Sequence, residues 1–428
     1  MRGFLFESKK VLKKKTTLVS IFLSFLAAVG LYIFNYAVAE EVHEGNITRL
    51  ESYPEMFTNF ANEFRAEKDK AIEVGDTAKG EEMDSLINRS LESIANSEKM
   101  IEAYEQENWM FLHEKDIDSL QIFVEDPDTT SYGIEEQLVS YFTLRATYEE
   151  LKLLKDIDSK PFVQNTTSLP LIATIYDDFT GTSLEQYQIT TKRYGQEGFS
   201  FLVQLIQLFY IPAVVLIGCF IFGNSIASET TKKKSGLNFY RVLPYSRMKL
   251  FFAKYISGYM YLLIFSLLML AIPLVCSLFT NGLGSLKNPI LVYEGTKSTS
   301  IFGNSLNPRE DQFHFIEFQE YFWKVLIFLI AFSFFMYSLY FIFALLTKNA
   351  SLSMVLSGTI TYIGMNILAS EFNPFVYIDI HKIITGETAT LTFNPGFTFN
   401  TGLNIHLVLG IILTILSYVT FRFKRQVT

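Results

Sequence analysis

Metal binding and nucleophilic chemistry need histidine, cysteine or carboxylate groups at particular spacings, and this 428-residue chain offers few of them. Its five histidines, His43, His113, His314, His381 and His406, are scattered, and His113-Glu114 lacks the second histidine that a zinc-protease helix requires. Cys219 and Cys276 both fall in long apolar runs, where they read as small apolar residues and give no disulfide framework. Gly75 and Gly80 have the separation of the paired glycines in a phosphate-binding loop, but Glu81 follows where that loop needs lysine. The chain therefore reads as a non-enzyme with no cofactor of its own.

The remaining polar chemistry lies in or beside apolar stretches. Gln204 and Gln207 are the only strongly polar side chains of residues 200–223, and with Asn366 of residues 351–369 they are the candidate pathway-lining residues. Lys254 and Lys324 sit near the ends of their runs, where they can snorkel, and His406 is expected at the outer rim. An ion-coupled carrier usually keeps a carboxylate, histidine or arginine in its pathway. None is expected here, so energy for transport has to come from elsewhere.

What must position these groups is a helical membrane framework. The chain is 49% hydrophobic and 15% aromatic, with long uncharged runs. Its net charge of −8 conceals a division: residues 40–199 hold 34 acidic and 14 basic residues, net −20, and the rest is +12. One large acidic domain outside and basic loops inside would produce that asymmetry. The acidic surface reads as that of a soluble spacer domain, with recruitment of a cationic substrate as the alternative.

In chain order, residues 1–16 read as a cytoplasmic amphipathic segment, with a basic tail as the alternative. Residues 17–38 carry no charge and reach roughly 33 Å as a helix, enough to cross a hydrocarbon core of about 30 Å. Ala37-Val38-Ala39 fits a signal-peptide cleavage site, but the length of the run and Tyr32, Phe34 and Tyr36 at its end favour an uncleaved anchor. Residues 39–199 form the extracellular acidic helical domain, with helices expected near 55–74, 80–106 and 134–157 from stripes such as Leu86, Ile87, Leu91, Ile94 and Ile101. Residues 200–223 are the second span, kinked at Pro212, and 224–250 the cytoplasmic loop. Residues 251–428 supply four further spans, expected at 250–279, 324–346, 351–369 and 404–421, with outer loops 280–321 and 370–403. The second of these loops is apolar enough to dip back into the outer leaflet. The fold class is mainly α: a polytopic membrane protein with six transmembrane helices, both termini cytoplasmic, plus an extracellular helical domain.

Ser225 to Lys254 orients the rest, because seven lysines and arginines lie there between two apolar runs, which belongs on the cytoplasmic side. Leu237, Tyr240, Val242 and Leu243 cluster within about two turns as a short surface helix, Pro244 ends it, and Ser246 caps the next helix. Glu229, the basic patch, Gly236-Leu237, Leu243-Pro244-Tyr245-Ser246-Arg247 and Lys254 together resemble the cytoplasmic coupling-helix loop of ATP-binding-cassette (ABC) exporter permeases. The resemblance takes in about the first 15 residues and most of the chain from Ser200 onward, and leaves residues 40–199 unmatched.

The resemblance implies a plasma-membrane permease subunit without its own ATPase motif. Glu229, Gly236, Leu237, Phe239, Tyr240, Arg241, Leu243, Pro244, Ser246 and Arg247 would couple it to a separate cytoplasmic ATPase, which binds the ATP and Mg²⁺. It further implies pairing with a second permease subunit, identical or related, and export of an amphipathic, peptide or lipidic substrate by alternating access. Membrane lipid is a further partner and nucleic acid is not one. The alternative function is a membrane-anchored sensor or scaffold whose extracellular helical domain binds a ligand.

Overall fold

The computed structural model describes residues 9–10, 13–229, 246–294, 304–367 and 370–423. Among these it holds thirteen α-helices and three two-stranded antiparallel sheets. Four helices are long and apolar enough to cross a membrane: α1 (Lys15–Val74), α8 (Arg247–Ser277), α9 (Phe318–Thr347) and α13 (Phe399–Phe423). A bent pair, α6 (Gly198–Gln207) and α7 (Tyr210–Glu229), makes a fifth crossing if counted as one span. The chain is a helical membrane protein. The expected span near 351–369 is α10 (Ala350–Ile367), whose 18 residues include Ser351, Ser353, Ser357, Thr359, Thr361 and Asn366 and which is not among those apolar helices.

The first span does not end where its apolar run ends. α1 continues unbroken for 60 residues, about 90 Å, through Glu40 and past Pro54. It stops at Gly75, whose φ of 78° is the left-handed cap glycine favours, and the Asp76 N–H closes the cap on the Ala71 carbonyl at 2.9 Å. Asp76 then caps α2 (Thr77–Glu105) by accepting the Lys79 N–H at 3.1 Å, so the two helices form a tight antiparallel arm. The helix expected at 55–74 is thus the outer part of the first span, and the one at 80–106 is α2.

Below the arm lies a compact body: α3 (Trp109–Glu125), a tight hairpin of β1 (Gly133–Ile134) and β2 (Gln137–Leu138), α4 (Tyr141–Asp156), β3 (Val163–Gln164), α5 (Gly181–Thr191) and β4 (Arg193–Tyr194). The helix expected at 134–157 starts only at Tyr141, because the hairpin precedes it and the Ser140 hydroxyl caps it. Leu120, Leu144, Leu151, Leu171, Phe179 and Tyr187 form its core. α1 is strapped to this body: Asn35 donates to the Gly195 carbonyl at 2.7 Å, Asn46 to the Gln164 carbonyl at 2.8 Å, and the Tyr53 and Thr167 hydroxyls meet at 2.6 Å.

The outer segment 280–321 is no free loop. It forms β5 (Pro289–Tyr293) paired with β6 (Phe313–Glu317), and the hairpin packs on the body. Phe142 of α4 stacks at 3.9 Å on Tyr176 and at 5.7 Å on Tyr293, with Phe313 edge-on at 5.0 Å. Arg145 donates to the Asp311 and Pro308 carbonyls at 2.9 and 3.2 Å. β6 then runs directly into α9.

Within the bundle, α9 is central, with Phe328, Phe332, Tyr337, Tyr340 and Phe341 fully buried among α7, α8 and α13. Residues 370–398 fold back as a 3₁₀ turn (Val376–Ile378), α11 (Ile380–Ile384) and α12 (Glu387–Leu391), burying Tyr377, Ile380, Ile383 and Phe397 in that same core. Three expectations are corrected here. Pro212 makes no kink: it occupies the first turn of α7, where no helical N–H is required, and the 75° bend falls at Leu208-Phe209, with Phe209 at φ 59°. Lys254 does not reach the surface but is buried in the bundle at 1% exposure. His406 is not at the rim: it is buried against Phe328, Phe332 and Phe335, its Nε2 bonded to the Pro374 carbonyl at 2.9 Å. Lys324 lies near the start of α9 and pairs with Glu320 at 2.7 Å.

α8 approaches α9 and α7 closely at Gly258, where a Cβ would overlap the Tyr337 hydroxyl and press on the Phe222 carbonyl. Gly258→Ala should therefore lower the thermal midpoint of the purified protein, at a cost of about 1–3 kcal/mol. Gly358→Ala, at a position with nothing within 4 Å, should not lower it. Equal midpoints for the two variants in a detergent unfolding series would contradict the packing.

Candidate functional site

Most of the residues implied in coupling, Gly236, Leu237, Phe239, Tyr240, Arg241, Leu243 and Pro244, lie outside the described residues. Glu229 is the last residue of α7. Ser246 caps α8 by accepting the Lys249 N–H at 3.3 Å. Arg247 donates to the carbonyl of Arg422 at 3.2 Å and so ties the start of α8 to the end of α13. Asn366 is exposed on α10, its amide donating to the Tyr362 carbonyl at 2.7 Å, away from the two glutamines.

Gln204 and Gln207 do come together, at the opposite end of the bundle. They line a cavity of about 480 Å³ formed where the outer body, the β5–β6 hairpin and the α11–α12 segment meet over α6. Its lining combines the apolar side chains of Phe162, Val203, Leu208, Ile290 and Leu291 with Glu150, Lys192, Arg193, Asp379, His381, Lys382 and Glu387. The lining is held together by the Thr385 carbonyl, which accepts the Tyr293 N–H at 2.8 Å. Gly386, at φ 72°, lets α12 leave at a corner where a Cβ would strike the Tyr293 carbonyl.

Two ion pairs close across this cavity. Glu150, buried on α4, takes both guanidinium nitrogens of Arg193, Nη1 to Oε1 at 2.7 Å and Nη2 to Oε2, the forked geometry that makes arginine–carboxylate pairs specific. The same guanidinium lies 5.5 Å from the Phe162 ring centre. Lys382 pairs with Glu387 at 2.8 Å. Burial acts to lower the Lys382 pKa, but the bond to Glu387 and the charges of Glu387 and Asp379 outweigh it and leave it raised.

His381 is fixed from both sides, Nδ1 to the Tyr321 hydroxyl at 3.0 Å and Nε2 to the Gln207 amide nitrogen at 3.2 Å. Because that amide donates, Nε2 accepts and Nδ1 carries the proton to Tyr321. Burial, reinforced by neighbouring Lys382, pushes the imidazole pKa down to about 4, so the ring is neutral near pH 7. Asp379 caps α11 by accepting the Lys382 N–H at 3.1 Å, and burial raises its pKa to about 6 against the opposing pull of Lys382. The cavity is thus a chamber lined by both charged and apolar side chains.

His113 and His314 lie away from this cavity. His113 is buried in the body with Nε2 at 3.0 Å from the Ser159 carbonyl, Glu114 pairs outward with Lys155 at 3.1 Å, and His314 pairs with Glu294 at 3.1 Å. No cluster of three metal-ligating side chains occurs among the described residues. No family model, curated protein or solved structure matches the chain.

The raised pKa of Asp379 fixes a pH dependence. A carboxyl whose folded pKa lies above its unfolded value of 3.8 contributes stability in full below about pH 4 and loses it as pH rises through about 6. Asp379→Asn keeps the helix cap and removes the buried charge. In lipid-free detergent it should be more stable than the wild type at pH 8 by ~1–2 kcal/mol, with the gain gone at pH 4. A gain independent of pH in thermal melts at the two pH values would contradict this reading.

Proposed function

We propose that the chain is the permease subunit of a transporter of the ABC exporter type, with six spans, both termini cytoplasmic and residues 39–199 outside the cell. In this reading α10 is the fifth of the six spans, kept in the bundle by its packing against α9 and α7. The observation that carries the proposal is the arrangement of the helix ends around residues 230–245. α7 and α8, which flank that basic segment, pack together, and Arg247 binds the last turn of α13. The acidic body and its cavity lie at the other end. A basic segment between two apolar helices belongs on the cytoplasmic side by the positive-inside rule, which supports docking of a separate subunit there. Leu237, Phe239, Tyr240 and Leu243 would seat in an apolar groove of the ATPase, with Glu229, Arg241 and Arg247 setting register at its rim. The ATPase binds ATP and Mg²⁺, and its closure drives two facing permease subunits, identical or related, between inward- and outward-open packings. The substrate class is amphipathic, peptide or lipidic.

A second reading has its own support. α1 runs unbroken from the membrane to the tip of the outer arm, which suits a membrane-anchored sensor whose outer domain binds a ligand.

Capture experiments separate the two. The wild-type chain, purified from its native membrane under mild conditions, should bring down a Walker-motif ATPase. Leu243→Asp should abolish that capture, a loss of at least about tenfold for a charge buried in an apolar anchor pocket, while membrane insertion persists. Undiminished capture, or labelling of a cysteine placed at Ser235 by an impermeant reagent in intact cells, would remove the permease reading.

A further inference from the structure

The junction cavity carries more than its two closed ion pairs. Of the charged side chains that line it, Lys192 and Asp379 have no ion pair within 4.0 Å among the described residues, and they are of opposite sign. Lys192 is exposed, its ammonium 5.1 Å from the Tyr194 ring centre. Asp379 commits Oδ1 to capping α11. A ligand complementary to this pair carries one cation and one anion. Phe162, Val203, Leu208, Ile290 and Leu291 line the same cavity, so the ligand is also amphipathic.

The mouth of the cavity indicates where such a ligand resides. Leu208 lines it and is 68% exposed, at the corner where the chain turns by 75° into α7. α6 and α7 are apolar enough to cross a membrane when counted together as one bent span, and this corner lies between them. An exposed leucine inside an apolar span faces lipid, so a molecule leaving the cavity past Leu208 passes into lipid rather than water.

We propose that this cavity holds the headgroup of a zwitterionic phospholipid bearing a primary amine, the ammonium against Asp379, the phosphate against Lys192, and the acyl chains leaving beside Leu208. The inference needs membrane insertion but not the permease reading. A primary amine can donate hydrogen bonds to the carboxylate, which a quaternary amine cannot, and a headgroup with no amine offers Asp379 no further donor. An ammonium at Asp379 also opposes the burial that raises its pKa, which favours occupancy once the carboxyl is ionised.

The test uses the full chain in detergent, titrated with phosphatidylethanolamine, phosphatidylcholine or phosphatidylglycerol and read by native mass spectrometry. The wild type should retain phosphatidylethanolamine about tenfold over either of the others, the value of one charge-assisted hydrogen bond. Asp379→Asn should erase that preference, and Lys192→Ala should weaken retention of phosphatidylethanolamine. Ala173→Trp, at an exposed lining residue, should block occupancy by filling the chamber. Equal retention of the three lipids by the wild type, or an Ala173→Trp variant that binds as the wild type does, would mean annular lipid only and overturn the proposal. Soluble glycerophosphoethanolamine binding as tightly as the lipid would overturn it too, by showing that the acyl chains contribute nothing.

Discussion

Everything outside the bundle is held in register by the rings that meet around Phe142. α4, the turn at Tyr176 and the β5–β6 hairpin come from three separate parts of the sequence, and their stacking buries aromatic surface that none of them could hide alone. Arg145 completes the contact by taking up carbonyls of the 304–312 turn that would otherwise lose water without gaining a partner. Because β6 ends at Glu317 and α9 begins at Phe318, no flexible residue separates this contact from the most buried helix of the bundle. The outer body and α9 are consequently one mechanical unit.

That fusion accounts for the charged chamber beneath it. The paired groups there come from α4, β4 and the α11–α12 segment, and α6 closes the floor. Ion pairs of this kind contribute little net stability, but they fix which surfaces meet: Glu150 left without Arg193 would be a buried charge, and Glu387 without Lys382 a largely buried one. The forked Glu150–Arg193 contact sets the docking of β4 on α4, and Lys382–Glu387 sets the angle between the two short helices. Specificity of assembly rather than strength explains why an otherwise apolar junction keeps them.

How much of this was legible beforehand follows from the range over which each signal acts. Apolar runs are local, so α8, α9 and α13 fall within a few residues of their expected bounds, as does the cap of α8 at Ser246. Gln204 and Gln207 stood out as polar residues in an apolar run and do line the cavity. Asn366 gave the same signal and does not, because its face of α10 points out of the bundle. The continuation of α1 to Val74 was hidden by the change from apolar to acidic composition, which alters the solvent and not the helix. Glu150 and Arg193 are 43 residues apart and carried no mark of pairing. Asp379, His381, Lys382 and Glu387 were different: four ionisable residues within nine positions of an apolar stretch are a readable sign of a polar site, masked by the apolar residues around them.

The length of α1 has a geometric corollary. Some 35 residues of the same rigid rod extend past Ala39, about 50 Å, so a change of about 5° in its inclination within the bilayer carries its far tip through roughly 4 Å. Asn35, Asn46 and Tyr53 fasten the shaft to the compact body, so a tilt of the crossing segment carries that body with it, while the segment from Pro54 to Val74 projects about 30 Å past the last of these contacts.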